Sequence, residues 1–211
     1  VLAPSEISIP IGNKYAGIEL ITQDFAEELS KEHDTTLYCS PSVPQQVGIR
    51  TRTLRPYPQD ISTLAGQGYD FVYDFTHQKH AAAWFTKENY LATAFLTDAL
   101  SNVNDVFPTK AVRDGFHSDG PVIYPGIKNV YSFRDAKADY LLYLGRISKF
   151  KRPDIAVQVA NRLGKRITVA GHVGTFSKWP DPTYDQVVRR MRGRGHEFIE
   201  NPTLEQKVEL L

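Results

Sequence analysis

The sequence predicts an α/β chain built from two parallel-sheet units. Three observations carry this. Short runs rich in β-branched and aromatic residues alternate with helical periods along the chain, the pattern of βαβ units and parallel sheets. A polar, aperiodic stretch, SFRDAKAD, breaks the alternation. It puts a boundary between Gly126 and Ala138, so residues 1–130 and 131–211 are read as separate domains. Finally, YLLYLGRISKFKRPDIAVQVA, residues 140–160, runs from an apolar strand ending at Gly145 into a cationic turn. That turn holds Arg146, Lys149, Lys151 and Arg152, and Pro153 then opens a helix, a position where its missing N–H costs nothing.

Each element follows in order. VLA reads as the end of a buried strand, and PSEISIPIGNKYAG as a long loop. GIELITQDFAEELSKEH places Ile18, Ile21, Phe25 and Leu29 at helical spacing. TTLYCS is a strand rich in β-formers, VGIRTRTL a further strand candidate, and YDFVYDF a buried strand ending in acid. KHAAAWFTKEN reads as a helix, NYLATAFL and NVNDVFPT as strands, KAVRDGF as a short helix, and PVIYPGI as a strand entering a Pro-Gly turn. In the second unit YLLYLG, RITVAG and HEFIE are strands, and PDIAVQVANRL and TYDQVVRRMRGR are helices. PTLEQKVELL starts another helix with no stop signal, so the second domain is read as incomplete.

Composition sets the broad class. Of 211 residues, 41% are hydrophobic and 23% charged, an ordinary globular mixture. No apolar run approaches the roughly 20 residues that span a bilayer. Nothing at the N-terminus pairs a basic region with an apolar signal core. The single cysteine, Cys39, excludes an intrachain disulfide and fits a reducing, cytoplasmic setting. Net charge is +1, but residues 1–133 carry 10 Lys/Arg against 15 Asp/Glu, and residues 134–211 carry 15 against 9. The second part therefore suits an anionic ligand; chance scatter of surface charge is the bland alternative. Arg189, Arg190, Arg192 and Arg194 could form a nucleic-acid patch. A solvated basic helix face fits better, since no aromatic stacking motif accompanies them. No nucleic-acid partner is expected. No G-x-G-x-x-G follows the first strand of either domain, which weighs against a dinucleotide site.

The cationic turn explains itself through anion chemistry. A strand end facing a helix start offers unpaired N–H groups and the positive end of the helix dipole. Arg146 and Lys151, five residues apart, would add two full charges; the alternative is a pair of solvated loop residues.

The stretch YLLYLGRISKFKRPDIAVQVANRLGKRITVAG resembles the donor-domain start of retaining GT-B glycosyltransferases, the family of sucrose, glycogen and lipid mannosyl transferases. The pattern is a strand, Gly-Arg, a Lys five residues on, a helix, and a strand ending in Gly: here Gly145, Arg146, Lys151 and Gly171. PVIYPGI resembles the family's interdomain strand and turn, and GNKYAGIEL its N-terminal glycine loop. The resemblance implies two Rossmann-like domains and transfer of a sugar from a nucleotide-sugar donor to an acceptor hydroxyl with retention. It implies no cofactor and no metal. The acceptor would be a sugar, a lipid or another small molecule, and peripheral membrane contact is left open. Arg146 and Lys151 would contact the donor diphosphate, where fixed cations favour the charge that grows as the bond breaks. Gly17, and more weakly Gly12, would let backbone approach the phosphate. Gly145 and Gly171 would shape the donor side, with His172 beside them. On the acceptor side, Asp74 and His77 lie beyond a strand end, where ligands of open α/β sheets bind. An N-cap aspartate and a surface histidine are the plain alternatives there.

The sequence also departs from the family pattern. NYLATAFLTDALS has no histidine where many members carry one near the reactive carbon; Asp98 is the nearest polar group. The family's paired glutamates on a later helix have no counterpart, because Glu205 and Glu209 are four apart and too early. Trp84 and Trp179 could stack on sugar or base, with packing as their default role. Two rivals stay open: a nucleotide-sugar epimerase of the same architecture, and a non-catalytic or split-enzyme nucleotide-binding module.

Overall fold

A computed structural model of the chain describes residues 1–4, 17–39, 50–53, 58–95, 100–101, 104–126, 128, 138–173, 183–191 and 193–211. The described residues up to Lys128 form one compact unit, and those from Ala138 onward form a second.

The first unit is a parallel sheet. Its elements are α1 (Gly17–Leu29), β1 (Thr36–Cys39), β2 (Arg50–Thr53), α2 (Pro58–Ala65), β3 (Val72–Asp74), β4 (Tyr90–Thr93), β5 (Asp105–Val106) and α3 (Lys110–Gly115). β1 pairs with β2, and β3, β4 and β5 pair in that order, all in parallel. Leu2 joins the two parts by bridging in parallel to Tyr38 and to Asp74. Its N–H donates to the Tyr73 carbonyl at 2.8 Å and its carbonyl accepts from Phe75 N–H at 2.9 Å. The strand expected at VLA is thus the middle of the sheet, which explains why Leu2 is almost wholly buried. Val122, from the strand expected at PVIYPGI, makes a single parallel bridge to Phe107.

Two local expectations change. KHAAAWFTKEN is not an α-helix but one 3-10 turn, His80–Ala83. Lys79 starts it at φ 53, and Thr86 and Asn89 then close a separate turn through Thr86 N–H to Asn89 Oδ1 at 2.8 Å. α2 falls between the elements expected from the sequence; its Ile61 and Leu64 are buried in the core of the first unit. In α1 the apolar stripe Ile18, Ile21, Phe25 and Leu29 is half-buried, while Glu19, Thr22 and Ala26 are buried. Phe25 still packs on the sheet, 4.5 Å from the Tyr73 ring and 5.4 Å from Phe75.

The second unit holds β6 (Leu141–Leu144), α4 (Pro153–Leu163), β7 (Ile167–Gly171), α5 (Thr183–Met191), β8 (Glu197–Glu200) and α6 (Leu204–Leu210). β6, β7 and β8 are parallel, with β7 in the middle. All five β7 residues are buried, as a central parallel strand requires. Val157 and Ala160 of α4, Val187 and Met191 of α5, and Ile167 and Val169 form the core. Each fully buried valine contributes roughly 1.5–3 kcal/mol. α4 ends at Gly164, whose φ of 63 closes the helix. α6 starts with a capping box between Thr203 and Gln206. Among the described residues no helix is long and apolar enough to cross a membrane.

Candidate functional site

The turn after β6 lies where the three strands of the second unit end. Past Leu144 the chain keeps its pairing: Gly145 N–H donates to the Ala170 carbonyl at 3.0 Å, and Ile147 N–H to that of His172 at 3.0 Å. Asn201, just past β8, donates its N–H to the Gly171 carbonyl at 2.9 Å, and its Oδ1 accepts from Val173 N–H at 3.1 Å. A Cβ on Gly171 would lie 1.9 Å from the Gly145 carbonyl oxygen. Only glycine at 171 permits this approach, so packing of the strand ends explains that glycine of the predicted pattern.

The same geometry brings Arg146 and Lys151 together. Lys151 and Arg152 donate their N–H groups to the Ser148 carbonyl at 3.0 and 3.1 Å, closing a tight turn. The Tyr143 hydroxyl lies 2.9 Å from the Arg146 carbonyl oxygen and 3.3 Å from that of Lys151. Two residues five apart therefore sit at the two feet of one loop. Ile147 anchors it in the core. Arg146 is half-buried, whereas Lys149 and Lys151 are exposed. The Lys151 ammonium has no carboxylate partner among the described residues.

The helix start is less bare than the sequence implied. Asp154, at the second position of α4, is buried and accepts two hydrogen bonds from the Arg152 guanidinium, both at 3.0 Å. Arg190 of α5 donates to the Asp154 carbonyl at 2.9 Å and to its carboxylate at 3.2 Å. These bonds, Arg152's first, hold the Asp154 carboxyl below the usual carboxylate range. Arg152 itself adopts φ 52 and makes no side-chain cap bond. Of the four cations in the turn, Arg152 is thus bound within the fold. Arg146, Lys149 and Lys151 lie on the same turn, past the end of β6. Arg190 is likewise committed to Asp154, and the Arg189 Nε donates to the Asp185 carbonyl at 3.2 Å; these are uses of a solvated helix face.

The other predicted residues stand apart. His172 is half-buried and follows β7, with its carbonyl taken by Ile147. Gly17 is the first residue of α1, exposed, with nothing within 4 Å of a Cβ placed there. In the first unit, Asp74 is wholly buried. It accepts from Thr76 N–H at 2.7 Å and from the Tyr90 hydroxyl at 2.8 Å, so it ties β3 to β4 and to the turn beyond. Burial first, and then the Asp74 charge, push the Tyr90 hydroxyl far above its usual range. Lys79 is buried too and donates its ammonium to the Thr76 carbonyl. His77 is half-buried between them in sequence. Trp84 is about half exposed. Asp98, Gly12, Trp179 and Arg192 lie outside the described residues.

Two features carried no sequence signal. Tyr143 reads as one more strand residue. A cavity of about 360 Å³ in the first unit is lined by Phe25 of α1, Tyr73 and Phe75 of β3 and its end, Phe95 after β4, and Tyr124. Four separate stretches meet there, so no local pattern announces it. Among the described residues no cluster of three His, Cys, Asp or Glu side chains is placed to hold a metal ion.

No protein-family model matches the chain, and no curated protein matches it. A solved structure does. The crystal structure of AviGT4, a glycosyltransferase involved in avilamycin A biosynthesis, superposes with a TM-score of 0.70 at 24% sequence identity. The likeness covers 99% of this chain and 65% of AviGT4. The fold is therefore of the GT-B type: Rossmann-like units with parallel sheets flanked by helices. The chain spans about two thirds of the length of the structure it matches.

Proposed function

We propose that this chain is a glycosyltransferase whose second unit binds the diphosphate of a nucleotide-sugar donor at the Arg146–Lys151 loop. The observation that carries the reading is the loop itself. It holds Arg146 and Lys151 at its two feet, over the carboxyl ends of parallel strands and just before a helix. Crevices at strand carboxyl ends are where open α/β sheets bind ligands. The fold shared with AviGT4, a glycosyltransferase, supports the same reading.

The chemistry follows from the charges. As the sugar–oxygen bond breaks, negative charge grows on the departing diphosphate. The guanidinium of Arg146 can donate two parallel bonds to phosphate oxygens, and Lys151 adds a point charge. Both act more strongly on the transition state than on the bound donor. Gly171 lets the strand ends lie close enough for the loop to sit there. The sugar passes to an acceptor hydroxyl with retention, the departing diphosphate taking the acceptor's proton on the same face. The side chains at the loop supply the charge that a metal would otherwise bring. The acceptor belongs to the first unit. There His77 retains some surface, whereas Asp74 acts from within the sheet.

The test is transfer itself. Purified protein is incubated with radiolabelled UDP-, GDP- and ADP-sugars and a panel of sugar, lipid and small-molecule acceptors. Labelled acceptor from one donor supports the reading, and Arg146→Ala should abolish most of it. Isomerised sugar without transfer points to an epimerase. Nucleotide binding without turnover points to a binding module.

A further inference from the structure

We infer that Tyr143 is a positioning residue that fixes the two phosphate-binding cations relative to each other; this rests on the diphosphate reading of the Arg146–Lys151 loop. Tyr143 comes from β6, inside the fold, and its ring packs against the core of the second unit. Its hydroxyl reaches out of that core to the loop. It donates to the Arg146 carbonyl oxygen at 2.9 Å, with the Lys151 carbonyl oxygen at 3.3 Å. A hydroxyl has one proton, so the two carbonyls share it. One side chain therefore holds both feet of the loop at once.

Three facts give the contact purpose beyond packing. First, the ring alone would fill the same space, so what the hydroxyl adds is its contact with the loop. Second, the residue between strand and loop is Gly145, and a Cβ there would lie 3.3 Å from the Tyr143 hydroxyl. Glycine at 145 thus keeps the path of the hydroxyl clear. Third, no hydrogen bond within the turn links Arg146 to Lys151 among those between backbone groups; Lys151 and Arg152 both bond to Ser148. The Tyr143 hydroxyl is thus a contact that the backbone carbonyls of both cationic residues have in common, added to the Ser148 turn. A phosphate-binding pair needs its spacing held before the ligand arrives, because ordering a loop on binding lowers affinity.

The experiment compares Tyr143→Phe, Arg146→Ala and the double variant with the parent protein. Titration calorimetry measures affinity for UDP, GDP and ADP and for the matching nucleosides. Hydrogen exchange follows the Lys151 and Arg152 amides. The expected result for Tyr143→Phe is a loss of roughly 3- to 10-fold in diphosphate affinity, the range of one hydrogen bond. Nucleoside affinity should stay unchanged, and the Lys151 and Arg152 amides should exchange faster. In the Arg146→Ala background the loss should shrink, since the clamp then positions one cation fewer. Equal losses for nucleoside and diphosphate would overturn the inference, because they mark general loosening. So would parent-like exchange and affinity in Tyr143→Phe while Arg146→Ala still weakens binding. If Arg146→Ala leaves affinity unchanged and only the exchange responds, the diphosphate reading has failed and the positioning role falls with it.

Discussion

The end of β3 and the end of β6 are equivalent places in two parallel sheets, and the chain treats them oppositely. Beyond β3, Asp74 and Lys79 are buried, and Asp74 is consumed by Thr76 N–H and the Tyr90 hydroxyl. Beyond β6, Lys149 and Lys151 stand in solvent, and a turn fixed from below by Tyr143 carries them. Charge at a strand end is therefore not a site by virtue of position. A carboxylate drawn inward strengthens the sheet, whereas cations held outward on a fixed backbone can meet a ligand.

That contrast can be broken by substitution, and the largest effect should come from Gly171→Ala. The new methyl would meet the Gly145 carbonyl oxygen at 1.9 Å. Backbone must move, at a cost of roughly 3 kcal/mol or more, visible as a fall in melting temperature. Asp74→Ala should follow. It leaves the Tyr90 hydroxyl and Thr76 N–H unpaired in the interior, a loss of roughly 1.5–3 kcal/mol in denaturant unfolding. Nucleotide affinity of the folded protein should not change, which separates the inward carboxylate from the outward cations. Arg146→Ala should do the reverse: stability nearly unchanged and nucleoside-diphosphate affinity reduced by roughly 1.5–3 kcal/mol.

Smaller effects depend on pH. The folded Asp154 carboxyl titrates below its usual 3.8. Its contribution to stability is therefore complete above that value and is lost as pH falls through the lower folded value. Acid unfolding of Asp154→Asn should accordingly be flatter below about pH 4. His196 is lowered from 6.5, by burial first and then by Arg194. The neutral ring accepts Ile167 N–H at its Nδ1, 3.3 Å away. That stability is present above about pH 6.5 and lost as pH drops below it. A melting series from pH 7.5 to 5 should show a slight decline that His196→Asn removes.

Much of the architecture was legible because periodicity is local. β1, β3, β6, β7 and β8 all stand on runs read as strands, and α4 starts at Pro153 as expected. KHAAAWFTKEN misled because alanine-rich helix propensity was overridden by the left-handed Lys79 and by the Thr86–Asn89 turn. At the candidate site, Gly145, Arg146, Lys151 and Gly171 were readable as a pattern. What the pattern hid was pairing. Nothing in the string KRPD tells that Arg152 is tied to Asp154, or that Arg190 from another helix joins it. Nor does YLLYLG distinguish a strand tyrosine from one whose hydroxyl holds a loop. Such facts are set by contacts between elements, which one-dimensional spacing does not encode.

The most direct measurement is calorimetric titration of UDP, GDP and ADP into the parent protein and into Arg146→Ala. The account predicts that the parent binds at least one of the three. It predicts that Arg146→Ala weakens that affinity roughly 10- to 100-fold with an unchanged melting temperature. Equal affinities in the two proteins would contradict it, and the cationic turn would then be surface charge without a ligand.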